Sequence, residues 1–273
     1  MRLSAAHIFG PELTIVGLFE TALTYNGGVK IILSPSLSMK EDDTHGFEMT
    51  QPLFQSESQI LRHQLLSLTT EQLQKAWQCS DPLFKKLLAQ MEPERRGYLQ
   101  APTPALLAFD GVVFSAMVPK VFTDAQWKYV NEHLRIVSGM YGLLRPLDGI
   151  RPYRLEMKNR IPFSLYEFWK EKPATALEDS IIINLASEEY ARLIRAHLKN
   201  ARMIEVDFQE FKPDGKLKKS SVHLKQARGA MVRWMAEHSI ETPEDLIRFD
   251  EMGYSFDENL SGDDHLIFTR RLS

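Results

Sequence analysis

A chain of 273 residues, 44% hydrophobic and 25% charged, has the make-up of a globular protein with a sizeable core, and its length suits one large domain or two small ones. A formal net charge of −3 excludes a bulk pull toward nucleic acid or an anionic membrane, so any such partner must be met by a local patch. The single cysteine, Cys79, excludes an internal disulfide and a thiolate cluster; it fits a reducing cytoplasm and reads as a small buried hydrophobe.

Residues 1–28 hold one arginine, no lysine and no long apolar core, which makes a poor signal peptide. Structure restarts at VKIILSPS. Residues 1–28 are therefore expected to be an appendage, with Val29 as the natural start; an intact Met1 on the native protein, read by mass spectrometry, would contradict this. Residues 29–273 then form one domain. No apolar run approaches a membrane span.

Lys30–Leu33 reads as a strand closed by Ser34-Pro35-Ser36. Ser56–Leu66 has helical spacing at Ile60, Leu61, Leu65 and Leu66. Thr69-x-x-Gln72 matches a capping box and opens a helix to about Cys79. Asp81-Pro82 supplies a cap and a first-turn proline for a helix to about Met91, so the two helices form a tight hairpin. Pro104–Phe109 predicts a short helix, Val112–Phe114 a strand, Thr123–Leu134 an amphipathic helix and Arg135–Ser138 a strand. Leu165–Trp169 is a short aromatic helix. SIIINL, Ser180–Leu185, predicts a strand covered on both faces. Helix follows to about His197, then a strand at Met203–Phe208 and a turn at Asp214-Gly215. Lys225–Glu237 and Thr242–Arg248 are helical, and HLIFTR closes as a strand. The interleaving predicts an α/β or mixed α+β domain with a central mixed sheet, surrounding helices and the helical hairpin.

Two segments carry unusual chemistry. LRIVSGMYGLLRPLDGIRPYRLEM, residues 134–157, sets Gly139, Gly142, Gly149, Pro146 and Pro152 among Arg135, Arg145, Arg151 and Arg154. Glycine and proline fix backbone shape, which suggests a shaped electropositive surface. The plainer reading is a tight crossover whose arginines pair with acids. KLKKSSVHLKQARGAMVR, residues 216–233, has six cations and no acid. Lys225, Arg228 and Arg233 are spaced to share a helix face, and Gly229 admits a close backbone. Unpaired cations on one face suit phosphates; the plainer reading is a solvated lysine-rich hairpin.

Enzyme signatures are missing: no Walker loop, GxGxxG, HExxH or CxxC occurs, and the eight histidines are scattered. Ser34, Ser36, Ser138 and Ser187 follow strands at turns, but none lies in a G-x-S-x-G elbow. In NLASEEY, Ser187 is placed to cap a helix whose first turn holds Glu188 and Glu189. Arg154 and Glu156 are expected to join Lys225 in one polar cluster.

KIILSPSLSM, FDGVVFSAM, LRIVSGMYGLLRPLDGIRPYRLEM, LYEFW, INLASEEY, KQARGAMVR and FDEMGYSF occur in this order, and the chain resembles the peroxide stress protein YaaA family. The resemblance implies a bacterial cytoplasmic protein of hydrogen peroxide resistance that limits unincorporated iron and so oxidative damage to DNA. It further implies DNA binding, a mixed α/β fold, a positive cleft and a helix-hairpin-helix element at Leu68–Met91. The cleft cations would be Arg145, Arg151, Arg154, Lys225 and Arg228. Two departures stand out. Where relatives often read SPAKT, Ser34–Ser38 reads SPSLS, and the hairpin turn carries Asp81-Pro82. Both weaken a phosphate role at those spots.

The expectation is a DNA-binding protein rather than an enzyme, without cofactor, metal, membrane or obligate protein partner. Phosphates would be met by Arg145, Arg151, Arg154, Lys218, Lys219, Lys225, Arg228 and Arg233. Tyr141 or Tyr153 would stack on an exposed base. The alternative is an enzyme acting on nucleic acid or a phosphorylated small molecule, with Ser34, Ser138, Arg154, Glu156, Asn184 and Lys225 in one pocket and Ser187 beside them. A third reading, an iron-sequestering protein, predicts metal in the purified protein.

Overall fold

The computed structural model describes residues 28–42, 46–178 and 180–272. The expected appendage, Gly28 apart, lies outside the described residues. In chain order the strands are β1 (Val29–Leu33), β2 (Thr103–Pro104), β3 (Leu134–Ser138), β4 (Gly142–Leu144), β5 (Gly149–Ile150), β6 (Ile181–Asn184), β7 (Arg202–Phe211), β8 (Leu217–Lys218), β9 (Ser255–Phe256) and β10 (His265–Arg271). The α-helices are α1 (Gln55–Ser67), α2 (Thr70–Trp77), α3 (Asp81–Arg95), α4 (Ala105–Ala108), α5 (Val112–Met117), α6 (Asp124–His133), α7 (Leu165–Trp169), α8 (Lys172–Thr175), α9 (Glu188–Arg195) and α10 (Ser221–Glu237).

The described residues carry an eight-stranded mixed sheet in the order β4-β3-β1-β6-β7-β10-β9, with β8 paired to β7. Strands β3, β1, β6, β7 and β10 run parallel, and β4, β8 and β9 are antiparallel additions. The apolar runs explain the centre: Ile31, Ile32, Leu33, Ile182 and Ile183 are all fully buried, as strands covered on both faces must be. Strand β7 alternates instead, burying Ile204, Val206 and Phe208 on one face.

The hairpin of α2 and α3 forms as its caps predict. Gln72 N–H donates to Thr69 Oγ1 at 3.3 Å, and Thr69 N–H donates to Gln72 Oε1 at 2.9 Å. Ser80, rather than Asp81, is the N-cap of α3, and Cys79 is half-buried rather than enclosed. The hairpin turns its apolar face inward, burying Leu73, Ala76, Trp77 and Phe84.

Residues 112–114 are helical, not extended. The β-branched pair Val112-Val113 favours a strand only weakly, and tertiary packing overrides it. Helix α5 packs directly on α10, where Gly229 faces the Val113 carbonyl. The close backbone that Gly229 admits therefore belongs to this chain. Helix α10 starts at Ser221, a turn earlier than its spacing predicts.

Gly139 and Gly142 also serve packing. A Cβ on Gly139 would lie 2.5 Å from the Leu155 carbonyl oxygen, and one on Gly142 would lie 2.8 Å from the Trp169 ring. Trp169 Nε1–H donates to Gly139 O at 2.9 Å. The glycines of the 134–157 run thus let its own chain and α7 pack tightly.

Near the carboxyl end of β7, Glu210 is 1% exposed and gathers Arg270 (2.9 and 2.5 Å) and His223 (2.6 Å) on Oε1. Burial alone would raise this carboxyl. The hydrogen bonds and charges of Arg270 and His223 outweigh it and hold the group below its ordinary 4.5. A depressed carboxyl contributes stability that is complete above its ordinary value and is lost as pH falls through the folded value. The urea midpoint should therefore fall between about pH 5 and about pH 3, and Glu210→Gln should flatten that part of the profile.

Candidate functional site

Strand β1 leads on to β3 on one side, while β6 leads on to β7 on the other, so the topological switch point lies between β1 and β6. Ligands of open parallel sheets settle in the crevice beyond the carboxyl ends at such a point. Here the two carboxyl ends are tied together. Ser187 N–H donates to Ser34 Oγ at 2.8 Å, and Ser34 Oγ donates to Ser187 Oγ at 3.1 Å. Ser187 sits at the N-cap of α9, but its hydroxyl accepts from Ser34 and does not cap the helix. Ser34→Ala removes both bonds and should cost about 1–2 kcal/mol, read as a shift in chemical denaturation.

A crevice of about 600 Å³ opens here. Its walls are the 34–38 loop, the start of α5, the Glu156–Lys158 segment, the start of α9, and Lys225 and Arg228 on α10. The loop is stitched down: Ser36 Oγ donates to Asp110 O at 2.8 Å and Asp110 N–H donates to Ser38 O at 2.8 Å. Gly111 makes this possible, since a Cβ there would lie 2.5 Å from Ser36 Oγ.

The crevice holds charge of both signs. Lys225 is exposed and makes no ion pair within the described residues. Arg228 is half-buried, its Nε has no partner, and burial lowers its pKa while Asp207 and Glu205 oppose the shift. Opposite in charge, Glu156 is half-buried, and its carboxylate has no partner among the described residues. Glu189 is held by Lys158 at 3.0 Å and Glu188 by Arg195 at 2.8 Å. Tyr190 is 6% exposed and lines the crevice; burial pushes its phenol far above the ordinary range, so it stays a neutral donor. Among the described residues no group of three or more His, Cys, Asp or Glu side chains is placed to hold a metal ion.

The sequence-derived residues divide. Ser34, Glu156, Ser187, Lys225 and Arg228 converge on the crevice. Arg154 does not join Glu156 and Lys225. It lines a separate hollow of about 60 Å³ under the hairpin, beside Arg62 and Glu94, which pair at 2.5 Å. Leu37 lies between the two, lining both. Ser138 is fully buried and bonded to Tyr153 Oη at 2.7 Å. Asn184 is 3% exposed, donates to Glu205 at 2.6 Å and accepts from Ala186 N–H at 2.9 Å. Tyr141 is buried, its hydroxyl taken by Arg62 and the Arg151 N–H, and it packs edge-on against Tyr153, so it offers no face to a base.

Most of the other cations have partners. Arg145 clamps the buried Asp148 through Nε and Nη2 at 3.1 and 3.0 Å, and Arg151 Nε donates to Gln100 O at 2.6 Å. The plainer reading of the 134–157 run therefore describes Arg145. Lys219 pairs with Asp207, and Arg233 with Glu251. Arg233 thus leaves the face of Lys225 and Arg228, since eight residues of helix turn it about 80° away. Lys218 is exposed on β8.

Sequence reading passed over Tyr190 and Lys158. Tyr190 ends the quoted NLASEEY motif and Lys158 directly follows Met157, and the signal was positional: Tyr190 lies in the first turn of the helix that follows β6, and the carboxyl ends of parallel strands are where a site forms.

The family model described as peroxide stress protein YaaA matches residues 29–260. The chain is 43% identical over 247 residues to a UPF0246 protein of Lactobacillus acidophilus, covering 88% of this chain and 96% of the relative. It is 36% identical over 252 residues to a UPF0246 protein of Agathobacter rectalis (90% and 100%) and 39% over 247 residues to one of Lactobacillus helveticus (88% and 96%).

Proposed function

The chain belongs to the peroxide stress protein YaaA family, and from that premise we propose that it is a cytoplasmic DNA-binding protein of peroxide defence. It grips the phosphate backbone at the switch-point crevice and limits iron-dependent damage to the DNA it holds. The supporting observation is the α10 wall: Lys225 and Arg228 lie three residues apart, on one helix face, and neither has an ion-pair partner within the described residues. Lys218, exposed on β8 beside β7, supplies a third solvent-facing cation. Backbone contact of this kind carries no sequence information, so binding depends on charge and shape. Arg145, Lys219 and Arg233 hold acids of their own chain and take no part. A salt titration of DNA binding tests this: three phosphate contacts give a log–log slope of about −3, and a flat response refutes it.

A second reading is an enzyme acting on nucleic acid or a phosphorylated small molecule in the same crevice. It is favoured by the convergence there of Ser34, Glu156 and Lys225. Product formation from DNA or a nucleotide, lost in Glu156→Gln, is its test. Elemental analysis of the purified protein tests the iron-sequestering reading.

A further inference from the structure

A surface that only gripped phosphates would be uniformly positive, and this crevice is not. One wall presents Lys225 and Arg228; the crevice also holds the unpaired carboxylate of Glu156, partly withdrawn from water. The carboxylate feels the charge of Lys158 but accepts no hydrogen bond among the described residues, so it is open to a donor from a ligand. Its neighbours Glu188 and Glu189 are already neutralised by Arg195 and Lys158. A fitting ligand is therefore anionic at one end and rich in N–H donors at the other.

The rest of the lining narrows the class. Leu37 and Val112, both exposed at the crevice, give apolar surface suited to a flat ring. Tyr190, 94% withdrawn from solvent, has no hydrogen-bond partner for its hydroxyl among the described residues, and Ser187, which accepts from Ser34, keeps its own proton to give. A zwitterion as small as an amino acid leaves most of about 600 Å³ unfilled, whereas crevices of this size suit ligands the size of a nucleotide.

We propose that the crevice is a mononucleotide site, with the phosphate on Lys225 and Arg228 and the base edge on Glu156. A carboxylate has two acceptor oxygens side by side. Guanine is the natural base whose pairing edge offers two neighbouring N–H donors to match them, so guanine is preferred. In a paired duplex that edge is occupied by the partner base. The nucleotide is therefore either free or drawn out of a strand. The second source rests on the DNA-binding reading above; the first does not.

The test titrates the purified protein with dGMP, deoxyguanosine, dAMP and TMP, and with a short duplex carrying one bulged guanine beside its fully paired counterpart. Tightest binding by dGMP supports a free nucleotide, and preference for the bulged over the paired duplex supports one drawn from the strand. In either case Lys225→Ala and Arg228→Gln should each weaken binding about tenfold, and Glu156→Gln should abolish the preference for guanine. Lys225 is exposed, so its variant stays informative even if Arg228→Gln folds poorly. Absence of binding by dGMP together with equal affinity for the two duplexes overturns the proposal, as does a guanine preference unchanged in Glu156→Gln. Salt-dependent duplex binding without any nucleotide preference would sink this site and leave the DNA reading intact. Binding of dGMP with no affinity for either duplex would do the reverse.

Discussion

Gly229→Ala should destabilise the protein by about 3 kcal/mol, although alanine is the better helix former. Two effects compete. Replacing a mid-helix glycine gains about 1 kcal/mol of propensity. Against this, a Cβ on Gly229 would overlap the Val113 carbonyl oxygen and lie 3.1 Å from Ala116 Cβ. Neither obstacle is the free end of a long side chain. The carbonyl is backbone, and Ala116 is on the same helix, α5, which α10 contacts extensively. Relief therefore requires the two helices to part, and packed interiors transmit such strain rather than absorb it. The overlap wins. Urea denaturation should show a lower midpoint with an unchanged slope; a midpoint equal to or above the unsubstituted protein would refute the packing. The same separation would move Lys225 and Arg228 away from the α5 wall of the crevice, so DNA affinity should fall as well.

The double variant Lys225→Ala/Arg228→Gln should lose roughly 100-fold in DNA affinity, about tenfold for each phosphate contact, with little change in stability from the exposed Lys225. The contrast with Lys219→Ala isolates the cause. Both lysines are exposed and only a few residues apart, but Lys219 already pairs with Asp207. Removing it deletes a charge without deleting an available phosphate contact, so its effect should be small. Equal losses from the two variants would mean that overall charge, and not the α10 wall, drives binding. Electrophoretic mobility shift at fixed salt separates these outcomes.

Continuous apolar runs made β1 and β6 legible, because only a strand covered on both faces tolerates Ile-Ile-Leu or Ile-Ile-Ile without a polar break. Thr69 and Gln72 announced their helix because a capping box is a contact between near neighbours. Residues 112–114 misled because their helix depends on Gly229, more than a hundred positions away. The candidate site was half legible for the same reason. Ser34, Glu156, Ser187, Lys225 and Arg228 were marked by type and by their places after strands or on one helix face. Their company was not, since the crevice draws on five separate stretches of chain. The partners of the other cations were harder still: Glu251 meets Arg233, and Asp207 meets Lys219, through folds that no spacing rule anticipates. Arg145 was more legible, its acid lying three residues on, as was the second partner of Arg233, Glu237, four residues on.

DNA binding by the switch-point crevice is tested most directly by measuring affinity across a salt series for the unsubstituted protein and for Lys225→Ala/Arg228→Gln. A log–log slope of about −3 is expected, shrinking by about 2 in the double variant. An unsubstituted protein whose affinity ignores salt, or a double variant with the same slope, would contradict it.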